Sequence, residues 1–508
     1  MKGICGIALR GTQAVSVEVE VEITGGLFSI TVVGLPDTAV KEARERIRAA
    51  LRGIGLTLRG RIAINLAPAD LPKEGALLDL PMAVGLARAA GRIDHRERGA
   101  LFMGELALDG RLRWVRGAVP AAVLAREAGT PLYVPAANEP EVALVPGVEA
   151  YAVDNLLDLM RHLSGQNPLS RIEGRTFDDT GFVADTDFAD IKGQFAAKRA
   201  LEIAAAGHHN LLMSGSPGSG KTLLARALKG ILPPLSDEEM MEVLLVRSTA
   251  GLKTDEGRTR PFRSAHHTAS SVAICGGGSA LRPGEVSLAN RGVLFLDEFP
   301  EFSRDVLESL RQPLEDGTIT VSRAAGSVTY PARVLLVTAC NPCPCGYSGD
   351  PAEQCRCSPI ALDRYKRKLS GPILDRIDLH VAVPRLQPEE LVSLDGDCGE
   401  RSRDVQSRVR AARLMQRERW KDLGYHCNAE LPERVLRRRL DMEQDVKSFL
   451  ADTMKSLRMS GRGFSRVLRV ARTVADLDGA EKISVPHVAE SLSYREGCAF
   501  SGSGWGTR

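Results

Sequence analysis

Polar and apolar residues alternate along Val15-Ser-Val-Glu-Val-Glu-Val-Glu-Ile23, inside a stretch from Ile7 to Val33 that keeps a period of two. That is the pattern of strands with one wet face and one packed face. The period then lengthens. Asp37 to Leu51 reads as a helix with its charges on one side, Arg61 to Asn65 as a further strand, and Asp79 to Ala90 as a buried, mostly apolar helix. These elements predict an α/β domain over residues 1–165. From Ser164 to Asp187 the apolar period is lost among Gly, Asn, Pro, Ser and acidic residues, which predicts a linker over 166–187.

A second domain is expected over 188–384, where short apolar runs recur. After Val383-Pro384 the strand-like runs stop. Glu400 to Arg419 and Val446 to Ala475 carry Arg, Leu, Ala and Glu at helical spacing, so 385–500 is expected to be a helical lid, with 501–508 a frayed tail. No internal repeat stands out.

Composition changes this picture little. A chain of 508 residues exceeds what one hydrophobic core supports, so two or three domains are expected. With 44% apolar and 26% charged residues, neither a disordered nor a fibrous protein is indicated. No apolar run is long enough to cross a membrane and the N-terminus has no signal-peptide pattern, so a cytoplasmic protein without a membrane partner is expected. The formal charge of +3 decides nothing about partners. Ten cysteines without an export signal point to thiols or metal ligands rather than disulfides.

The candidate chemistry begins at Asn210-Leu-Leu-Met-Ser-Gly-Ser-Pro-Gly-Ser-Gly-Lys-Thr222, an apolar strand, a glycine loop and a helix start. Gly215, Ser216, Pro217, Gly218, Ser219 and Gly220 form a loop whose backbone N–H groups can cradle phosphates. Lys221 reaches the β and γ phosphates, and Thr222 ligates magnesium. ATP and Mg2+ are the expected ligands. Gly292-Val-Leu-Phe-Leu-Asp-Glu298 is a buried strand ending in two carboxylates: Asp297 suits the metal and Glu298 the attacking water. A third strand, Arg333 to Cys340, ends at Asn341, a candidate sensor of the γ phosphate; a plain strand-ending turn before Pro342 is its alternative.

Cys343-Pro-Cys345 and Cys355-Arg-Cys357 offer four sulfurs in one loop. They suit a closed tetrahedral structural zinc site, although Cys-x-Cys is tighter than the usual zinc-ribbon spacing, and reduced free thiols are the other reading. His266 and His267 have no acidic or cysteine partner at ligand spacing along the chain, and no catalytic role is assigned to them.

Beyond these motifs, Arg260-Pro-Phe-Arg-Ser-Ala-His-His-Thr268, Gly276-Gly-Gly278, Pro283-Gly-Glu-Val-Ser-Leu288, Asn341-Pro-Cys-Pro-Cys-Gly346 and Ser370-Gly-Pro-Ile-Leu-Asp-Arg-Ile-Asp378 closely resemble the magnesium-chelatase-like AAA+ family, and within it the ComM/YifB proteins, over nearly the whole chain. The resemblance implies an α/β AAA+ P-loop NTPase core with a parallel sheet, followed by a C-terminal α-helical lid. It also implies a homo-oligomeric ring, expected to be a hexamer formed or stabilised with ATP and DNA, and a DNA helicase that promotes branch migration during natural transformation. It gives Arg376 the role of an arginine finger toward the neighbouring subunit and Arg462 that of the lid's sensor, with Arg466 the second choice. It makes Thr318 to Tyr330 a pore hairpin touching single-stranded or branched DNA, and the residues there agree: two alternating runs meet at a short turn, with Arg323 near the tip. An ordinary exposed hairpin is the alternative. Residues 1–165 resemble the Lon-protease-like fold of ribosomal protein S5, but Leu77 stands where the nucleophilic serine would be and Gly110 to Ala122 holds no lysine, so no peptidase is expected. Arg44, Arg46 and Arg48 form a candidate basic cluster there. A magnesium-chelatase motor subunit and a chaperone-like remodelling factor are the rival functions.

Overall fold

The computed structural model describes residues 4–93, 99–177, 186–253, 257–278, 281–323, 326–350, 352–368, 371–386, 399–440, 442–457 and 459–496. The alternating N-terminal stretch forms three strands, Ile4–Arg10, Gln13–Thr24 and Ser29–Val33. With Arg61–Ala67, Leu101–Phe102, Leu132–Pro135 and Ala150–Val153 they make a seven-stranded mixed sheet. Helix Thr38–Gly53 starts on Asp37, whose carboxylate accepts the Val40 N–H at 2.8 Å. Its Val40, Ala43, Ile47 and Leu51 are buried in the same core as the nearly all-buried helix Asp79–Ala89. Leu77 lies in the apolar cluster with Ile7, Leu101 and Met103 and offers no nucleophile.

Of the expected linker, residues 166–177 lie against this sheet: the Ile172 N–H donates to Ala150 O at 2.8 Å and Arg175 N–H to Ala143 O at 2.8 Å. Residues 178–185 and the expected tail at 501–508 fall outside the described residues.

In the following unit five parallel strands lie in the spatial order Phe262–Ala265, Val293–Leu296, Leu335–Cys340, Leu211–Ser214 and Leu379–Ala382. The four strands from Val293–Leu296 to Leu379–Ala382 are almost entirely buried, as expected for a parallel sheet covered on both faces, while the edge strand Phe262–Ala265 buries only Ala265. The helices Phe195–Gly207 and Lys221–Ile231 supply one covering layer, rich in Ala and Leu. Helix Asp237–Ala250, opened by a Ser236/Glu239 capping box, carries Met240, Val243 and Leu244 into the N-terminal core, so the two α/β units share apolar packing.

The lid holds helices Ser402–Trp420, Glu433–Arg439, Gln444–Ser456, Gly461–Leu477 and Val485–Glu496. The tract Val446–Ala475, which has helical spacing in the sequence, falls into two helices, the second opened by Ser460, whose hydroxyl accepts the Gly463 N–H. A buried polar hub ties the lid together: the Trp420 indole donates to Asn428 Oδ1 at 2.9 Å, and Asn428 Nδ2 donates to Asp476 at 2.8 Å. No described helix is long and apolar enough to cross a membrane.

Candidate nucleotide site

The phosphate loop leaves strand Leu211–Ser214 at its C-terminal end, where ligands bind in open α/β sheets. Gly215 is required by close approach, since a Cβ there would lie 2.1 Å from Val383 O. Helix Lys221–Ile231 begins immediately after the loop and directs its positive end into the cleft. The Lys221 ammonium donates to Gly215 O at 2.7 Å and Ser216 O at 2.9 Å, and reaches Asn341 Oδ1 at 3.4 Å. Burial lowers its pKa from the usual lysine range, with Asp297 opposing.

Strand Val293–Leu296 delivers the carboxylates. Thr222 Oγ1 donates to Asp297 Oδ2 at 2.9 Å, and the Glu298 N–H donates to Asp297 Oδ1 at 2.9 Å. Hydroxyl and carboxylate oxygens side by side are the hard donor set that magnesium takes, so these two residues fit that ion. Glu298 adopts φ 50°, ψ 43°, a left-handed conformation uncommon for a residue with a side chain. The phosphate loop, Lys221, Thr222, Asp297, Glu298 and Asn341 thus line one open cleft of about 710 Å³.

His266 and His267, given no catalytic role from the sequence, line the same cleft. His267 Nδ1 lies 2.8 Å from Glu298 Oε2. The sheet register accounts for it: Ala265 pairs with Leu296 on adjacent parallel strands, so residues two positions further along each strand fall side by side. The partner that is missing along the chain lies across the sheet.

Arg376 and Arg462 are elsewhere. Asn210 Nδ2 donates to Arg376 O at 2.9 Å, and Asn210 precedes the strand whose far end carries the phosphate loop. Four strand residues, roughly 13 Å, therefore separate Arg376 from that loop. Arg376 pairs with Glu315 and shares a second cleft with Arg462 and Arg466. There Arg466 Nε is 3.8 Å from Asp378 Oδ1, and His209 Nδ1 is 3.4 Å from Asp378 Oδ2. Burial would raise the Asp378 carboxyl, but His209, Arg466 and Arg469 hold it well below the usual carboxylate range.

Arg323 ends the first strand of the hairpin Thr318–Arg323/Gly326–Pro331; residues 324–325 at its tip lie outside the described residues. One face buries Ile319, Val321, Val328 and Tyr330, and the other pairs Thr320 with Thr329 and Ser322 with Ser327 through their hydroxyls. The four sulfurs of Cys343, Cys345, Cys355 and Cys357 lie within 4.8 Å of one another. The cluster Arg44, Arg46 and Arg48 does not offer three open charges: Arg46 is tied to the buried Asp79 at 2.7 Å, and Arg48 stacks 4.8 Å over Phe28.

Comparison with known proteins agrees along the whole chain. The description "Magnesium chelatase, subunit ChlI" matches residues 187–391, "Subunit ChlI of Mg-chelatase" matches 19–138, and "Magnesium chelatase, subunit ChlI C-terminal" matches 399–495. An uncharacterized protein YifB of Salmonella typhimurium is 44% identical over 493 residues, and the competence protein ComM of Haemophilus influenzae 43% identical over 496, each alignment covering 96% of both chains. The magnesium-chelatase 38 kDa subunit of Cereibacter sphaeroides is 24% identical, over 61% of this chain. Identity of this extent, sustained through all three matched segments, makes the chain a member of the ComM/YifB family of magnesium-chelatase-like AAA+ ATPases.

Proposed function

We propose that this ATPase is a motor on DNA that works as a ring of identical copies, and that it drives branch migration of recombination intermediates, as its similarity to a competence protein suggests. The observation that carries the ring reading is the separation of the two clefts. Arg376 and Arg462 stand at the end of the sheet opposite the phosphate loop, so they serve the nucleotide of a neighbouring copy rather than their own. On this reading Arg462 is a sensor in trans.

Within one copy, Lys221 leaves the carbonyls of its own loop to meet the phosphates, and Asn341 holds the terminal phosphate or the water. Thr222 and Asp297 would hold magnesium, which when bound neutralises phosphate charge. Glu298 orients the attacking water and accepts its proton, while His267 fixes the carboxylate in place. The hairpin carries Arg323 to the DNA backbone, a sequence-independent contact suited to translocation. Cys343, Cys345, Cys355 and Cys357 hold a structural zinc ion.

The test is ATP hydrolysis by the purified full chain with and without forked or four-way DNA at fixed salt, beside Glu298→Gln. Stimulation by branched DNA, abolished in Glu298→Gln while nucleotide binding persists, is the expected result. Turnover indifferent to DNA would sink the motor reading and favour a chelatase-type or protein-remodelling role.

A further inference from the structure

Between the sheet and helix Pro359–Lys368, the described residues from 341 to 358 form neither helix nor strand, and only Cys343 and Gly346 among them are buried. Such a segment has no apolar core of its own to fix its shape. Its shape nevertheless matters to the nucleotide site, because it leans on the phosphate loop at two points and the helix after it holds Asn341. Gly346, at φ +88°, presses its backbone against Pro217; a Cβ there would lie 2.6 Å from Pro217 Cδ. Asp350 lies close enough to Ser216 for the serine side chain to help hold its carboxyl below the usual carboxylate range, and its Oδ1 accepts the Ala352 and Glu353 N–H groups at 2.9 and 3.1 Å. The Tyr365 hydroxyl donates to Asn341 O at 3.0 Å from the helix that follows.

What holds the segment is the sulfur cluster. In a tetrahedral zinc site with bonds of about 2.3 Å the sulfurs stand about 3.8 Å apart. Here Cys343 and Cys345 are 3.3 Å apart, Cys343 and Cys355 3.7 Å, and Cys345 and Cys355 3.6 Å. Two backbone groups already point at sulfur: Cys345 N–H toward Cys357 at 3.4 Å and Ser348 N–H toward Cys343 at 3.3 Å. Such outer contacts orient thiolate ligands. Four thiolates leave no open coordination position, so the ion is structural and takes no part in hydrolysis.

We infer that the zinc-bound cysteines act as a clamp that holds the phosphate loop and Asn341 in their nucleotide-binding arrangement, so that metal occupancy sets the affinity for ATP. Cys343 is only two residues from Asn341, and Gly346 sits on Pro217, so loosening the sulfurs releases both walls of the cleft. The inference rests on the cysteine set holding zinc, and the test separates the two.

Elemental analysis of the reduced full-length protein is expected to find one zinc per chain. Binding of a fluorescent ATP analogue with magnesium is then measured for the wild type, for Cys355→Ser/Cys357→Ser and for Gly346→Ala. The double variant should lose the zinc, and its nucleotide affinity should fall about tenfold or more. Gly346→Ala spares every sulfur; it should keep the zinc and still bind nucleotide about tenfold more weakly. If the double variant does not fold, Gly346→Ala decides alone. Zinc present but affinity unchanged in Gly346→Ala overturns the clamp and leaves the zinc site standing. A reduced chain that neither carries nor takes up zinc overturns both.

Discussion

Glu298 holds a left-handed backbone conformation, which costs a residue with a side chain roughly 1–2 kcal/mol, and it does so where its carboxylate meets His267 at 2.8 Å. Strain kept at a reacting group is held by its surroundings, and His267 is the part of those surroundings that can be removed. His267→Ala is therefore expected to lower kcat for ATP about tenfold while nucleotide affinity barely moves, with His267→Asn recovering part of the loss. Steady-state hydrolysis beside a binding titration checks this; an unchanged kcat would reduce His267 to lining. The same pair shows where sequence reading stops. Lys221, Thr222, Asp297 and Glu298 were legible because each sits in a contiguous motif whose chemistry is local. His267 was not, because its partner is supplied by strand register, and Arg46 reads as an open charge until Asp79 is found against it.

Among the elements, the hairpin Thr318–Arg323/Gly326–Pro331 has one face paid out to the core and one lined by hydroxyls, which leaves its end as the natural site of contact. Gly277 of a second small antiparallel pair, Gly276–Gly277/Arg282–Pro283, faces the Arg323 guanidinium; a Cβ there would lie 3.7 Å from it. Under the DNA reading, Arg323→Ala should weaken binding evenly across sequences and flatten the dependence of log K on log salt by about one. Unaltered binding and slope would return the hairpin to an ordinary surface element. Strands and helices were read well where the apolar period was strong, as at Gln13–Thr24 and Asp79–Ala89. Breaks were harder. The cap at Ser460 divides one arginine-rich tract, and arginines in it turn inward: Arg469, for example, donates to Leu431 O at 2.9 Å.

For the whole molecule, the lid seals the strand Leu379–Ala382, and His380 is buried beneath it beside Arg466, Arg495 and Asp378. Burial, reinforced by the two arginines, pushes the imidazole down to about 3, so it stays neutral in the folded protein. The unfolded chain takes up that proton below about pH 6.5 and the folded one does not, so stability is full above that pH. It falls by about 1.4 kcal/mol for each pH unit down toward 3. His380→Leu should remove this component, and its melting temperature should drop less between pH 7 and pH 5 than that of the wild type; equal drops would assign the acid sensitivity to other groups.

Lys221 and Arg376 stand at opposite ends of the same strands. On the ring reading, a solitary copy can hold fuel but cannot burn it. Turnover per chain is then no fixed constant: it climbs with the amount of protein present and with anything that gathers copies in one place. DNA that draws several chains onto a short stretch would switch them on together, so that a scarce motor stays idle until it has somewhere to work.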